Sequence, residues 1–266
     1  MIIGFIGTGA MGGAMLKGIH ARNPEASFCL FDKDAEKLAQ TAAQYGATIG
    51  ASEAAVAAAS DIVILAVKPV HMETVLTACA TAPKTGKLYI SLAVGLPISL
   101  YLRFLGEDAK VVRTMPNTPA LIGEGITLYC TSKAVTAQDK TTAVALLSCV
   151  GLVEELEERL ISEVTAVTSS SPAYFYMMIE AMGDAAVQSG LPRAAAYRWA
   201  AAAMAGSARM VLETGKHPGE LKDLVTSPAG TTIEGVAVLE REGFRSAVID
   251  AMGAVTRRAR EIGKNA

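Results

Sequence analysis

The sequence predicts an α/β fold in which a doubly wound sheet forms the N-terminal part and an all-helical region follows it. Three observations support this. A short apolar run, Ile2–Ile6, breaks into Gly7-Thr8-Gly9-Ala10-Met11-Gly12 and continues as a helix to His20. Apolar runs of strand length then alternate with helical stretches as far as Leu156, the pattern of right-handed crossovers in an open sheet. From about Leu160 no β-branched strand run recurs, and only helical periods remain.

Taken in order, Phe28–Asp32 reads as the second strand, followed by a helix from about Asp34 to Tyr45. Ala47–Ile49 is a short third strand and Ser52–Ala59 a short helix. Ile62–Val67, introduced by Asp61, is apolar throughout, as strands buried on both faces are. Lys68-Pro69 ends it, and a helix runs to about Ala80. Leu88–Leu92, Lys110–Met115, Gly125–Cys130 and Leu152–Leu156 supply the remaining strands, with helices over Pro97–Leu105 and Thr136–Cys149. The helical region reads as Ile161–Ser170, Pro172–Ser189, Pro192–Thr214, Pro218–Thr226, Thr231–Arg241 and Phe244–Ile262, which divides the chain into residues 1–161 and 162–266. Pro172, Pro192 and Pro218 suit first helical turns, and Gly190 and Gly215 suit helix stops. Alanine-rich helices such as Ala194–Ala208, with Trp199, show little polar face. A region of about 100 residues has too little interior to bury such helices on several sides, which predicts burial against another subunit.

Composition narrows the function. The chain has 266 residues, is 51% hydrophobic and 19% charged, and carries a formal net charge of −2. That balance offers no basic surface for nucleic acid or anionic membrane. No segment approaches the roughly 20 apolar residues that span a bilayer, and no basic leader marks a signal peptide. Cys29, Cys79, Cys130 and Cys149 show neither C-x-x-C pairing nor neighbouring histidines, so they read as reduced core thiols with no metal site, and the cytoplasm is the expected compartment.

The turn after Ile6 has the spacing of a dinucleotide site. Gly7 allows the tight turn, Gly9 lets a pyrophosphate approach the backbone, and Gly12 lets the helix pack against the strand. Ala10 and Met11 open a helix whose unpaired N–H groups suit the phosphates. An ordinary glycine turn is the alternative, and the strand–helix alternation that follows favours the dinucleotide. Asp32, about 20 residues after Gly12, stands where an acidic residue bonds the ribose 2′-OH of NAD. Lys33, beside it, could instead neutralise a 2′-phosphate, and Ser52 could add a polar contact. These residues alone leave NAD and NADP open.

Further constellations fall at strand and helix ends. Ala66-Val67-Lys68-Pro69 closes a central strand at the edge where ligands bind in open α/β sheets. Lys68 could face the cofactor there or be a solvated strand-end lysine. Two prolines, Pro116 and Pro119, bracket Asn117 in a rigid turn that either holds its amide at the crevice or is purely structural. In Val225–Glu234, Thr231 and Glu234 fit a T-x-x-E capping box. Ser227, Thr231, Thr232 and the N–H groups around Gly230 would form a pocket for a carboxylate, a helix cap without ligand being the alternative. His20, His71 and His217 read as surface or capping residues, so no histidine acid is evident. A basic imine substrate would relax the need for one.

Gly7–Gly12, Ala66–Pro69, Met115-Pro-Asn-Thr-Pro119 and above all Pro218–Glu240 carry a resemblance over essentially the whole chain. It resembles the pyrroline-5-carboxylate reductases, which perform the last step of proline synthesis. The resemblance implies NAD(P)H-dependent reduction of (S)-1-pyrroline-5-carboxylate to L-proline by a Rossmann domain joined to a helical dimerisation domain. It also implies a homodimer with its active site at the dimer interface, and dimers that can assemble further. Thr232 would take the catalytic position whose hydroxyl bonds the ring nitrogen. Thr231, with Ser227, Gly230 and the adjacent amides, would bind the carboxylate. Ala93-Val94-Gly95 and Asn117 would border the nicotinamide, Asn117 next to the substrate. Lys33 falls where relatives often carry a basic residue, which favours NADPH, while Asp32 keeps NADH open. Ser169-Ser170-Ser171-Pro172 departs from the glycines usual there and implies a stiffer start to that helix.

Two other kinds of protein share part of this pattern. A β-hydroxyacid dehydrogenase shares this plan but uses a lysine on the first long helix of its second domain, and Pro172–Ser189 contains none. A non-catalytic NADP-binding or sensing protein would bind cofactor without turnover.

Overall fold

The computed structural model describes residues 1–83 and 86–264. Elements follow in chain order as β1 (Ile2–Ile6), α1 (Ala10–Arg22), β2 (Ser27–Phe31), α2 (Ala35–Tyr45), β3 (Thr48–Ile49), α3 (Glu53–Ala59) and β4 (Ile62–Leu65). Next come α4 (Met72–Cys79), β5 (Leu88–Ser91), α5 (Ile98–Leu105), β6 (Lys110–Met115), β7 (Gly125–Thr131), α6 (Ala137–Leu147) and β8 (Gly151–Glu155). The rest is helical, with α7 (Ile161–Thr165), α8 (Ser171–Gln188), α9 (Arg193–Thr214), α10 (Pro218–Leu224), α11 (Thr231–Arg241) and α12 (Phe244–Lys264). No helix among the described residues is long and apolar enough to cross a membrane.

All eight strands join one sheet in the order β3-β2-β1-β4-β5-β6-β7-β8. The winding direction reverses between β1 and β4, and open α/β sheets bind ligands in the crevice at the carboxyl ends of such strands. β4 shows why the apolar runs are continuous. Val63 and Leu65 pack into a cluster with Val56, Met72, Leu76, Tyr89 and Tyr101, while Ile62 and Ile64 pack on the other face with Phe5, Met15 and Leu16. Both faces are covered, so neither can be polar.

One strand runs against the others. β6 and β7 pair antiparallel, whereas the remaining pairs are parallel. The physical reason is the link between them. It holds only the proline turn and a short 3₁₀ segment, Thr118–Ile122, where a parallel return needs a crossover of a dozen residues or more. β8 then pairs parallel to β7 across α6, whose start is a complete capping box of Thr136 and Asp139.

The chain packs as two units, residues 1–169 with 256–266, and residues 170–255. The functional division expected at residue 161 is a different boundary, because α7 packs with the sheet unit. In that unit the final turns of α12 bring Arg260 to Glu163, with Nε–Oε1 at 2.8 Å and Nη2–Oε2 at 2.5 Å. Between α7 and α8 the backbone widens into a π-turn over Ala166–Ser170, ahead of Pro172.

The helical unit is built on the α8–α9 pair. Gly183 lets these helices approach closely, since a Cβ there would come within 2.3 Å of the Tyr197 ring. Its surface is unusually apolar. Of the 22 residues of α9 only Ala196 and Ala200 are buried, while Phe175, Tyr176, Met177, Trp199, Leu212 and Leu224 are exposed. The alanine-rich helices thus find little cover within one chain, as the sequence predicts. Exposed large apolar side chains in this number suit an association face.

Candidate functional site

The glycine turn is shaped by contacts that exclude side chains. Gly7 has φ +97, and a Cβ on it would lie 2.7 Å from the Ala66 carbonyl oxygen. At Gly12 a Cβ would meet the Gly7 oxygen at 2.4 Å and the Ala66 Cβ at 2.9 Å, so any side chain would push α1 off the strands. Gly9 differs, for a Cβ there would meet nothing within 4 Å. The space in front of it is open. Gly9 is also the N-cap of α1 and offers no side chain to the first-turn N–H groups, which are left for an anion.

Behind the turn, Thr8 and Asp32 lock together. The Thr8 N–H and hydroxyl both donate to Asp32 Oδ2, at 2.6 and 2.9 Å, and the Asp34 N–H donates to Oδ1 at 3.1 Å. Burial pushes the carboxyl upward, but the Thr8 and Asp34 hydrogen bonds, helped by Lys37, hold it below its ordinary value. Asp32 therefore stays ionised and fastens the glycine turn to the end of β2.

A cleft of about 280 Å³ opens at this edge. Of the expected cofactor residues, Ile6, Gly7, Gly9, Asp32, Lys33, Ala66, Val67 and Lys68 line it. Thr8 lies beneath the turn, Ala10, Met11 and Gly12 form the first turn of α1, and Pro69 opens a 3₁₀ turn that runs to His71. Ser52 is not among the residues that line the cleft; its hydroxyl accepts from the Ala55 N–H at 3.2 Å and caps α3.

Phe31, Glu53, His71 and Val75 also line the cleft and escape the sequence reading. From the sequence, His71 reads as a surface or capping residue. The 3₁₀ turn, closed by the His71 N–H on the Lys68 carbonyl at 2.9 Å, instead brings it back beside Lys68. The Lys-Pro-x-His spacing is the signal that could have found it.

Ala93, Val94 and Gly95 form a turn at the end of β5, with Ala93 buried, Val94 exposed and Gly95 at φ +86. Asn117 makes two hydrogen bonds within the protein. Its Nδ2 donates to the Thr168 carbonyl at 3.1 Å, and its Oδ1 accepts from the Ile126 N–H at 2.9 Å. Thr168 is four residues before Pro172, which has no N–H to offer that carbonyl, and the Asn117 amide supplies the missing donor. The amide thus binds the proline turn to β7 and to the π-turn.

In the helical unit, α10 and α11 are joined by a tight turn in which the Gly230 N–H bonds the Ser227 carbonyl at 3.1 Å. Ala229 is held at φ +55, a strained conformation for a residue with a Cβ. The expected capping box is absent. Gly230, not Thr231, is the N-cap of α11, and no side chain caps the helix. Ser227, Thr231 and Thr232 are exposed, and their hydroxyls have no hydrogen-bond partner among the described residues. Three hydroxyls and an uncapped helix start, one turn apart, suit a small anion. Among the described residues no group of His, Cys, Asp and Glu could hold a metal ion.

Comparison with known proteins agrees with this layout. Residues 158–262 match the family model for pyrroline-5-carboxylate reductase dimerisation, and residues 2–95 match that for NADP oxidoreductase, coenzyme F420-dependent. The chain is 44% identical to pyrroline-5-carboxylate reductase of Escherichia coli, over 99% of this chain and 98% of that one. The solved structure of a pyrroline-5-carboxylate reductase from Coxiella burnetii superposes with a TM-score of 0.92 at 33% identity, covering 98% of this chain and 97% of that one. The enzyme from Plasmodium falciparum, solved with NADP bound, gives a TM-score of 0.84 at 31% identity, covering 99% and 98%. Sheet order, glycine turn, uncapped α11 and full-length similarity converge, and the chain belongs to the pyrroline-5-carboxylate reductase family.

Proposed function

We propose that this protein reduces (S)-1-pyrroline-5-carboxylate to L-proline, with NADPH in the Gly7–Gly12 cleft and the substrate held by the Ser227–Thr232 turn. The observation that carries the reading is that turn. It offers three unpartnered hydroxyls and an uncapped helix start in a chain whose relatives are named for this substrate. Bound NADPH supplies the hydride that reduces the imine carbon.

The protein's own residues do the rest. The backbone at open Gly9 and the first-turn N–H groups of α1 receive the pyrophosphate. Lys33, exposed at the cleft, favours a 2′-phosphate, while Asp32 has one oxygen already committed to Thr8. The first-turn N–H groups of α11, with Ser227 and Thr231, take the substrate carboxylate. Thr232 bonds the ring nitrogen. A threonine hydroxyl does not titrate in the working range, so it orients a nitrogen that arrives already protonated, and that proton remains on the amine of the product. Ala93-Val94-Gly95 borders the nicotinamide, and Asn117 positions the turn beneath it.

Residues 1–161 serve the cofactor and 162–266 serve dimerisation and substrate in this reading. The exposed apolar faces of α8 and α9 support a homodimer, with dimers able to associate further. Four free cysteines are consistent with a reducing cytoplasm. Consumption of NADPH on addition of racemic pyrroline-5-carboxylate, with proline as product, tests the reaction. Thr232→Ala is expected to lower kcat/KM by roughly 10²–10⁴. An unchanged value would remove Thr232 from the mechanism.

A further inference from the structure

Both ends of the turn that follows β5 are fastened by polar groups that the proposed chemistry does not use, buried at its start and part-buried at its far end. At its start, Ser91 is fully buried, with Oγ 2.6 Å from the Tyr101 hydroxyl and accepting the Ala93 N–H at 3.3 Å. The Ser91 carbonyl takes the Thr114 hydroxyl at 2.8 Å, which ties the same residue to β6. At its far end the turn runs into α5 through Pro97, an N-cap with no side-chain hydrogen bond to give. The cap comes from far along the chain, where Glu158 Oε1 accepts the Ile98 N–H at 2.7 Å. That same oxygen receives Arg113 Nη1 at 2.8 Å, and Arg113 is only 6% exposed.

A serine or aspartate at position 97 would instead cap α5 locally, through the N–H of its second or third residue. Such a local cap would move with α5. Glu158, held by an arginine of β6, instead fixes the start of α5 against the sheet. Stability alone is a poor explanation, since an ion pair whose carboxylate side chain is 38% exposed contributes little net. Between the two anchors Ala93 and Leu96 are buried, Gly95 turns the chain at φ +86, and Val94 alone is presented outward at 46% exposure. The result is a rigid bracket with one apolar tip.

We infer that Ser91–Tyr101 and Arg113–Glu158 are positioning pairs that set where Val94 meets the nicotinamide ring. This rests on the proposal that the 93–95 turn borders that ring. Burial, only partly offset by the Ser91 hydrogen bond and by Arg113, pushes the Tyr101 hydroxyl up to about 12, so it stays protonated under assay conditions. A misplacement of about 1 Å at a reacting centre costs on the order of 10²-fold in rate, whereas the adenosine end of the cofactor is held elsewhere in the cleft.

The test uses Tyr101→Phe, which removes one buried oxygen, and Glu158→Gln, which keeps an acceptor for the Ile98 N–H but loses the charge facing Arg113. For both, kcat per folded enzyme is expected to fall by roughly tenfold at saturating substrates, with the NADPH Kd within about twofold of the parent. A merely structural role would lower the folded fraction and leave kcat per folded molecule unchanged, and that result in both variants overturns the inference. Val94→Trp separates the two levels. If it leaves kcat and NADPH Kd intact, the turn does not border the ring and the site proposal and this inference fall together. If Val94→Trp impairs turnover while the other two variants do not, only the positioning role is overturned.

Discussion

Asn117 shows how a side chain that looks like a ligand can be a fastener. Its amide closes two gaps that the backbone leaves open, the Thr168 carbonyl ahead of Pro172 and the Ile126 N–H at the start of β7. Leaving a part-buried donor and acceptor unpaired costs about 1–3 kcal/mol for each group. Asn117→Ala should therefore lower the thermal midpoint clearly, and Asn117→Asp should recover only the Ile126 bond, because a carboxylate cannot donate to Thr168. Differential scanning calorimetry of the two variants checks this. Equal stability of Asn117→Ala and the parent would show that the amide does not fasten the turn.

At the scale of elements, helix starts decide which hydroxyls are free for ligands. Ser52 lies close in sequence to the cofactor residues, yet its oxygen caps α3 through the Ala55 N–H. Ser52→Ala is expected to lose about 1 kcal/mol of stability while the KM for NADPH stays unchanged, as thermal melts and steady-state kinetics will read. The α11 start is the converse case. T-x-x-E at Thr231–Glu234 satisfies the capping pattern, but glycine is also an acceptable N-cap, and Gly230 takes the place. The pattern could not tell these apart, because it records which residues can cap and not which residue turns out of the helix first. Strands were easier to read, since Ile62–Leu65 must be apolar on both faces wherever it lies in the sheet. Strand direction was not readable from β7 itself. A period of two is the same in either direction, and only the short proline link from β6 forces the reversal.

Across the whole molecule, ionisable groups in the core make folding sensitive to alkali. Burial, reinforced by Glu53, raises Cys79 from 9.0 to about 12. Burial likewise raises Cys130 from 9.0 to about 12, and burial with the Cys79 thiol nearby raises Tyr89 from 10.0 to about 12. Tyr101 shifts in the same direction. These groups hold their protons in the folded chain at pH values where the unfolded chain has lost them. Their contribution is fully present below about pH 9 and is lost as pH rises towards about 12. Thermal midpoints followed by circular dichroism should decline steadily over that window, and a flat profile to pH 11 would contradict the burial of these side chains.

The apolar surface of α8 and α9 changes how substitutions are counted. In a single chain, replacing Phe175, Trp199 or Leu212 alters the exterior. In a homodimer closed across this face by a two-fold axis, the same replacement enters the shared interior twice, once from each partner. The unit that tolerates or rejects a substitution in this half of the sequence is then the pair, and the free-energy cost of each replacement counts twice.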